Sequence, residues 1–405
     1  MKLKEAQALE KKHFFANYAR VPLLVERGRG NYLYDENGRK YLDLVTGLAV
    51  NSIGHAHPKV VKAVREQCGR LAHVSNFYYT EPMIRLAGRL TRLSGMEKVF
   101  FANSGAEANE AAIKLARKHS REKYGAGRHE IICFERSFHG RTIATLSATG
   151  TRTYRKGFSP LAAGFRHAAF NDLASVEKNL TKKTCAIMVE PVQGEGGVYA
   201  AESEFMKGLD ALRLERGVLL VFDEVQCGLG RTGRWFAFEH YGVAPDVLTL
   251  AKSLGGGLPL GAMLARGGAG GAFTPGAHAS TFGANPVACA AANAFLDVLK
   301  EERLVERARR TGAGVMKKLE TLGARTPGIA EVRGLGLMIA VELKKRSAKD
   351  AAAFFLENGV LVNAIRENII RILPPFTVEE GELDRFLSLL EDFLKGAKGR
   401  GGGGK

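Results

Sequence analysis

Between about residues 50 and 280, short unbroken apolar runs recur, separated by stretches with helical patterning. The clearest runs are Val99–Ala102, Glu130–Phe134, Ala186–Val189, Val218–Phe222, Val247–Leu250 and Ala262–Leu264. A strand that does not alternate polar and apolar residues must bury both of its faces. Helices stacked on each side of a sheet provide that cover. The alternation predicts an α/β fold built on a mainly parallel sheet.

The flanking segments read differently. Residues 1–45 predict an N-terminal helix and a short hairpin, Tyr32-Leu33-Tyr34 and Lys40–Leu44, turned by Asn37-Gly38. A long helix is expected from about Pro286 to Leu322. Beyond it come strand Ile339–Leu343, helix Ala348–Glu357, strands Val360–Val362 and Ile369–Leu373, and a last helix from about Val378, with Thr377 and Glu380 as its capping box. The pattern divides into an N-terminal segment (1–45) packing with the small domain, a large domain (46–290), a small C-terminal domain (291–395) and a disordered basic, glycine-rich tail (396–405).

Composition narrows the class. With 405 residues the chain is long enough for two domains. The first twenty residues lack the apolar core of a signal peptide, and no apolar run approaches a bilayer's width. The five cysteines are scattered, with no Cys-x-x-Cys pair, so neither a disulfide framework nor a zinc site is expected, and a reducing cytoplasm fits. The net charge of +17 is partly the tail, where Lys395, Lys398, Arg400 and Lys405 stand without an acid. No nucleic-acid motif accompanies that charge, so it reads as a general field and specific nucleic-acid binding is not expected.

Two of the buried runs end on charge. Val218–Phe222 stops at Asp223, and Val247–Ala251 stops at Lys252. Open parallel sheets bind ligands at the carboxyl ends of their strands. Taken singly, each charge reads first as a loop ion pair. Together they are candidates for one site, because a lysine there can form a Schiff base and an aspartate can hold a pyridinium nitrogen protonated. That pairing points to pyridoxal phosphate. Further groups fall on the same edge. Ser104-Gly105-Ala106 opens a helix after strand Val99–Ala102, as a phosphate cup or simply a cap with Glu107. Phe138 could stack on a ring or fill the core, and Arg141 could fork a carboxylate or face solvent. Glu195 lies on a glycine-rich loop after Ala186–Val189; Arg371 lies in a C-terminal strand before Pro374-Pro375; Ser280 and Thr281 offer hydroxyls to a phosphate.

Seven segments, in order, carry a resemblance: Asn103–Glu110, Ser137–Thr142, Glu190–Gly197, Phe222–Gly233 (FDEVQCGLGRTG), Ala251–Ala262 (AKSLGGGLPLGA), Ser280–Pro286 (STFGANP) and Arg371–Phe376 (RILPPF). Over about residues 12–394 the chain resembles the class III, ornithine-type, aminotransferases of fold type I, most of all those that use acetylornithine. The resemblance implies a large domain with a sheet of about seven strands and a smaller α+β domain. It implies pyridoxal 5′-phosphate on Lys252, with Asp223 at the ring nitrogen, Gln226 near the phenolic oxygen and Phe138 on the ring. Gly105 and Ala106 would hold the phosphate, with Glu224 and Val225 also at the cofactor. Thr281, with Ser280 beside it, would reach the site from the partner of a homodimer. Arg141 and Arg371 would bind carboxylates, and Glu195 would mask Arg371. The implied reaction moves the terminal amino group of N2-acetyl-L-ornithine to 2-oxoglutarate. Carrier-bound lysine or ornithine, succinylornithine, ornithine and 4-aminobutyrate are the alternative donors. Ala284 and the Ile365–Asn368 stretch depart from the pattern of many relatives, near the part that would read the acyl group.

Overall fold

The structure is a computed structural model and describes residues 1–396. The glycine-rich tail expected from residue 396 lies, beyond that residue, outside the described part.

Its centre is a seven-stranded sheet in the order Lys98–Ala102, Gly261–Ala265, Val247–Leu250, Leu219–Asp223, Thr184–Val189, Glu130–Phe134, Phe165–Ala168. Gly261–Ala265 runs antiparallel to both of its neighbours, and the other pairings are parallel. Every residue of Thr184–Val189, Val247–Leu250 and Gly261–Ala265 is buried. Side chains alternate across the sheet. Ile187, Leu220, Phe222 and Leu248 enter one core, and Met188, Val221, Val247 and Met263 enter the other. Two cores on one sheet are the physical reason these strands read as continuous apolar runs. The edge strand Phe165–Ala168 was not visible in the sequence. It is Phe-Arg-His-Ala, half-buried over most of its length.

A second sheet, entirely antiparallel, has the order Ile329–Leu335, Met338–Leu343, Ile369–Ile372, Asn363–Ile365. Val360–Leu361 is not part of it and pairs parallel with Lys40–Asp43, joining a three-stranded N-terminal meander to the C-terminal part of the chain.

Two expectations need correction. The helix from Pro286 is two helices, Pro286–Glu301 and Leu304–Arg325. Arg303 separates them at φ 51°, a left-handed conformation taken here without the glycine that usually marks it. The last helix begins at Glu380, and its box is formed by Glu379 and Glu382. Thr377 instead donates its hydroxyl to Asn31 Oδ1 at 2.6 Å. Among the described residues no helix is long and apolar enough to cross a membrane, and no cluster of His, Cys, Asp and Glu is placed to hold a metal ion.

Candidate active site

Strands Leu219–Asp223 and Val247–Leu250 are parallel neighbours with Asp223 level with Thr249, so both lead the chain out at the same edge of the sheet. There a cavity of about 470 Å³ is lined by Lys252, Asp223, Gln226, Phe138, Glu195 and Gly105, among others. That volume suits a small-molecule site. Lys252 takes φ 47°, unusual for a residue with a side chain, and opens a short 3-10 turn. Burial holds its ammonium below the ordinary lysine range; Arg371 adds to this, and Glu195 and Asp223 oppose it. A lowered lysine pKa leaves more free amine to act as a nucleophile.

Asp223 is 4% exposed. Its Oδ2 accepts from Asn109 Nδ2 at 2.7 Å and lies 2.8 Å from His139 Nδ1; its Oδ1 accepts from the Val225 N–H at 3.0 Å. Thr249 in turn donates to Asn109 Oδ1 at 2.7 Å. The carboxylate is thus fixed in direction by groups on three elements.

Helix Gly105–Tyr124 points its N-terminus into the cavity, with Gly105 and Ala106 on the wall. Ser104 Oγ accepts from the Glu107 N–H at 3.2 Å. Glu107 returns its carboxylate one residue earlier than a capping box would, accepting from the Asn103 N–H at 2.7 Å. A β-carbon on Gly105 would lie 2.7 Å from Val225 Cγ1, so only glycine lets the turn and the 225 segment approach this closely.

Phe138 lines the cavity and meets Tyr154 edge-on with centroids 5.7 Å apart. Arg141 is exposed at the cavity, its guanidinium 3.9 Å from the Tyr154 ring centre. Glu195 and Arg371 form an ion pair at 2.8 Å. Burial pushes the Glu195 carboxyl up, but Arg371 and then Lys252 outweigh it, and the group titrates below the ordinary carboxylate range. Arg371 is 1% exposed. Its remaining partners are neutral: Asn363 Oδ1, the Gly194 carbonyl and Gln226 Oε1.

Not every expected residue joins this cavity. Glu224 turns away, its carboxylate accepting from the Ala237 and Phe238 N–H groups at 2.7 and 2.8 Å; burial pushes it up to about 8 against the pull of those donors. Ser280 and Thr281 line a different cavity, with Phe100, Glu107, Lys114 and His278. Within one chain they are not brought to Lys252.

Sequence reasoning also passed over residues. Asn109 is a buried polar position on a helix face otherwise filled by Ala108, Ala111 and Ala112. Glu190 ends a buried strand just as Asp223 does, lines the cavity, and accepts from the Phe138 N–H at 2.9 Å. The signal used for Asp223 would have found it. Burial, reinforced by Asp223, pushes the Glu190 carboxyl well above the ordinary range. His139 lay inside a segment already singled out, without a role.

The cavity fits pyridoxal phosphate. Gln226 Nε2 and His139 Nε2 are buried without a partner, the first in a residue that lines the cavity and so available to an oxygen of the ring. The helix N-terminus beside Gly105 suits a phosphate, and Asp223 suits a protonated ring nitrogen.

Comparison with known proteins agrees with this geometry. The model of the aminotransferase class-III family matches residues 14–394. The chain is 47% identical over 384 residues to the acetylornithine aminotransferase of Methanocaldococcus jannaschii, covering 95% of this chain and 96% of that protein. It is 47% identical to that of Aquifex aeolicus, covering 93% and 98%. Among solved structures, the ornithine aminotransferase from Toxoplasma gondii superposes with a TM-score of 0.94 at 33% identity, over 98% of this chain and 95% of that one. The acetylornithine aminotransferase from Elizabethkingia anophelis does so with a TM-score of 0.87 at 36% identity, over 98% and 99%. This chain belongs to the class-III aminotransferases, the pyridoxal-phosphate-dependent enzymes of fold type I.

Proposed function

We propose that this chain transfers the terminal amino group of N2-acetyl-L-ornithine to 2-oxoglutarate, forming N-acetyl-L-glutamate 5-semialdehyde and L-glutamate in arginine biosynthesis. Acetylornithine aminotransferases at 47% identity over nearly the whole chain support the donor. The observation that carries the two-substrate reading is the Glu195–Arg371 pair on the Lys252 cavity. A donor with no second carboxylate leaves Arg371 facing an uncharged or cationic chain, and pairing with Glu195 removes that cost. An acceptor with two carboxylates needs the guanidinium itself, which would bind it through charge-assisted hydrogen bonding.

When bound, pyridoxal phosphate supplies the electron sink for the substrate carbon that loses its proton. The chain does the rest. Lys252 Nζ would hold the cofactor covalently through its carbonyl carbon, with loss of water, and its free amine would move the proton at the substrate carbon. Asp223, fixed by Asn109 and His139, would keep the ring nitrogen protonated. Gly105 and Ala106 would offer backbone N–H groups to the phosphate, Gln226 would offer Nε2 to the phenolic oxygen, Val225 would back the cup and Phe138 would cover the ring. Glu224 contributes by anchoring the turn at Ala237 rather than by direct contact. Arg141 would take the α-carboxylate of the donor and the side-chain carboxylate of glutamate, leaving glutamate's α-carboxylate to Arg371.

The working form is a homodimer in the cytoplasm, with Ser280 and Thr281 delivered to the other subunit's cavity. Phe77, Tyr79 and Phe282 are 89%, 91% and 58% exposed, and Asn76 ties their two loops together through the carbonyls of Ser280 and Gly283. An aromatic patch of that kind supports a self-interface.

The test is a donor panel with 2-oxoglutarate, scored by glutamate. N2-acetyl-L-ornithine is expected to give the highest kcat/KM. A higher value for ornithine, N2-succinylornithine or 4-aminobutyrate would replace it as the donor.

A further inference from the structure

The Glu195–Arg371 pair raises a question of chemistry. A guanidinium that must change partners has to stay in place while its charge remains available. Asn363 meets both requirements. It lies directly across the antiparallel ladder from Arg371. Its single Oδ1 accepts from Arg371 Nη2 at 2.7 Å and from Nε at 3.2 Å. Both contacts fall on the far side of the guanidinium from Nη1, which faces Glu195 at 2.8 Å, the Gly194 carbonyl at 2.8 Å and Gln226 Oε1 at 3.2 Å. Among the described residues Glu195 is the one carboxylate paired with Arg371.

We propose that Asn363 is the positioning residue that sets substrate preference, holding Arg371 through a neutral oxygen so that its positive charge is free for either Glu195 or an incoming carboxylate. An aspartate in its place would have nearly the same shape and could form the same two bonds. Those bonds already draw on the charge of the donor; a carboxylate acceptor would turn them into an ion pair, stronger and permanent. Arg371 would then be neutralised from behind. The dicarboxylic substrate would lose its attraction, and the donor, which never uses the free guanidinium, would not. The proposal rests on the reading that Arg371 alternates between Glu195 and a substrate carboxylate.

The experiment compares purified wild-type, Asn363→Asp and Asn363→Ala holoenzymes. The two half-reactions are followed separately by single-turnover absorbance, and glutarate is used as a non-reacting competitor. Asn363→Asp is expected to raise the KM for glutamate and 2-oxoglutarate, and the inhibition constant for glutarate, by about tenfold or more, with the acetylornithine half-reaction within about twofold. Asn363→Ala leaves the charge free and should weaken the acceptor side by only about threefold. A purely structural asparagine gives the opposite order, because alanine removes both bonds and aspartate keeps them. Greater damage from alanine than from aspartate overturns the proposal, as does equal slowing of both half-reactions by aspartate, or no effect of aspartate on glutarate. If aspartate prevents folding, a glutarate constant more than about threefold weaker in the alanine variant is the overturning result, and one within about threefold the supporting result. Failure of the wild-type enzyme to make glutamate would count against the underlying reading instead.

Discussion

One oxygen of Asp223, Oδ2, is held from two sides, by Asn109 Nδ2 at 2.7 Å and His139 Nδ1 at 2.8 Å, while the other oxygen accepts from the Val225 N–H. All these neighbours can act as donors, so the site asks for a group that only accepts. An amide would have to aim its NH₂ at one of them. Asp223→Asn is therefore expected to lose the ring-nitrogen partner and the local geometry together. Activity should fall by about 10²-fold or more, with the bound cofactor's visible absorbance retained. Rates near wild type would mean that Asp223 only organises the strand end.

Lys252→Ala should remove turnover by at least about three orders of magnitude while the protein stays folded, since both the covalent anchor and the proton carrier are lost. Borohydride reduction of the wild-type enzyme followed by peptide mapping should place the cofactor on Lys252. A label on any other lysine would contradict the assignment.

Glu195→Ala leaves Arg371 without its only charged partner among the described residues. The glutamate half-reaction should persist or quicken, and the acetylornithine half-reaction should slow by about tenfold, the scale of one lost charge-assisted hydrogen bond. Equal slowing of both would show that Glu195 merely supports its loop.

Glu190 has its carboxyl held well above the ordinary range by burial and by the nearby charge of Asp223. A raised folded-state value means that its contribution to stability is intact below the unfolded carboxyl pKa of about 4.3 and is lost as pH rises through the folded value. Glu190→Gln keeps an oxygen for the Phe138 N–H and does not titrate. The variant's melting temperature should gain on wild type as pH increases from about 5 to 8. A difference that stays constant across that window would show that the native carboxyl is ionised throughout.

Much of this was legible beforehand, for a specific reason. Strands buried on both faces announce themselves as apolar runs, and a charge that ends one stands out, which is how Asp223 and Lys252 could be read directly. Arg303 broke the expected long helix in a left-handed conformation that no glycine or proline announces. The edge strand Phe165–Ala168 is too polar to show. Asn363 was invisible for another reason. Nothing in its own neighbourhood singles it out, and its importance comes wholly from the ladder that sets it opposite Arg371. Thr281 shows a limit of a different kind, since a single chain places it on a separate cavity from Lys252.

The loop that carries Glu195 hangs from the second sheet at three points. Arg371 donates to the Gly194 carbonyl at 2.8 Å, Arg366 Nε to that of Gly196 at 2.7 Å, and Arg333 Nε to that of Gly197 at 2.8 Å. These three arginines come from two strands and the turn between Asn363–Ile365 and Ile369–Ile372. A shift of that sheet therefore carries the mask and the masked cation along as one piece, keeping their spacing while changing their distance from Lys252. Under the proposed function, how well a carboxylate beside the reacting carbon is met is accordingly a property of how the C-terminal sheet is seated, and substitutions far from the cavity that reseat it should weaken the dicarboxylic substrate without disturbing the spacing of Glu195 and Arg371.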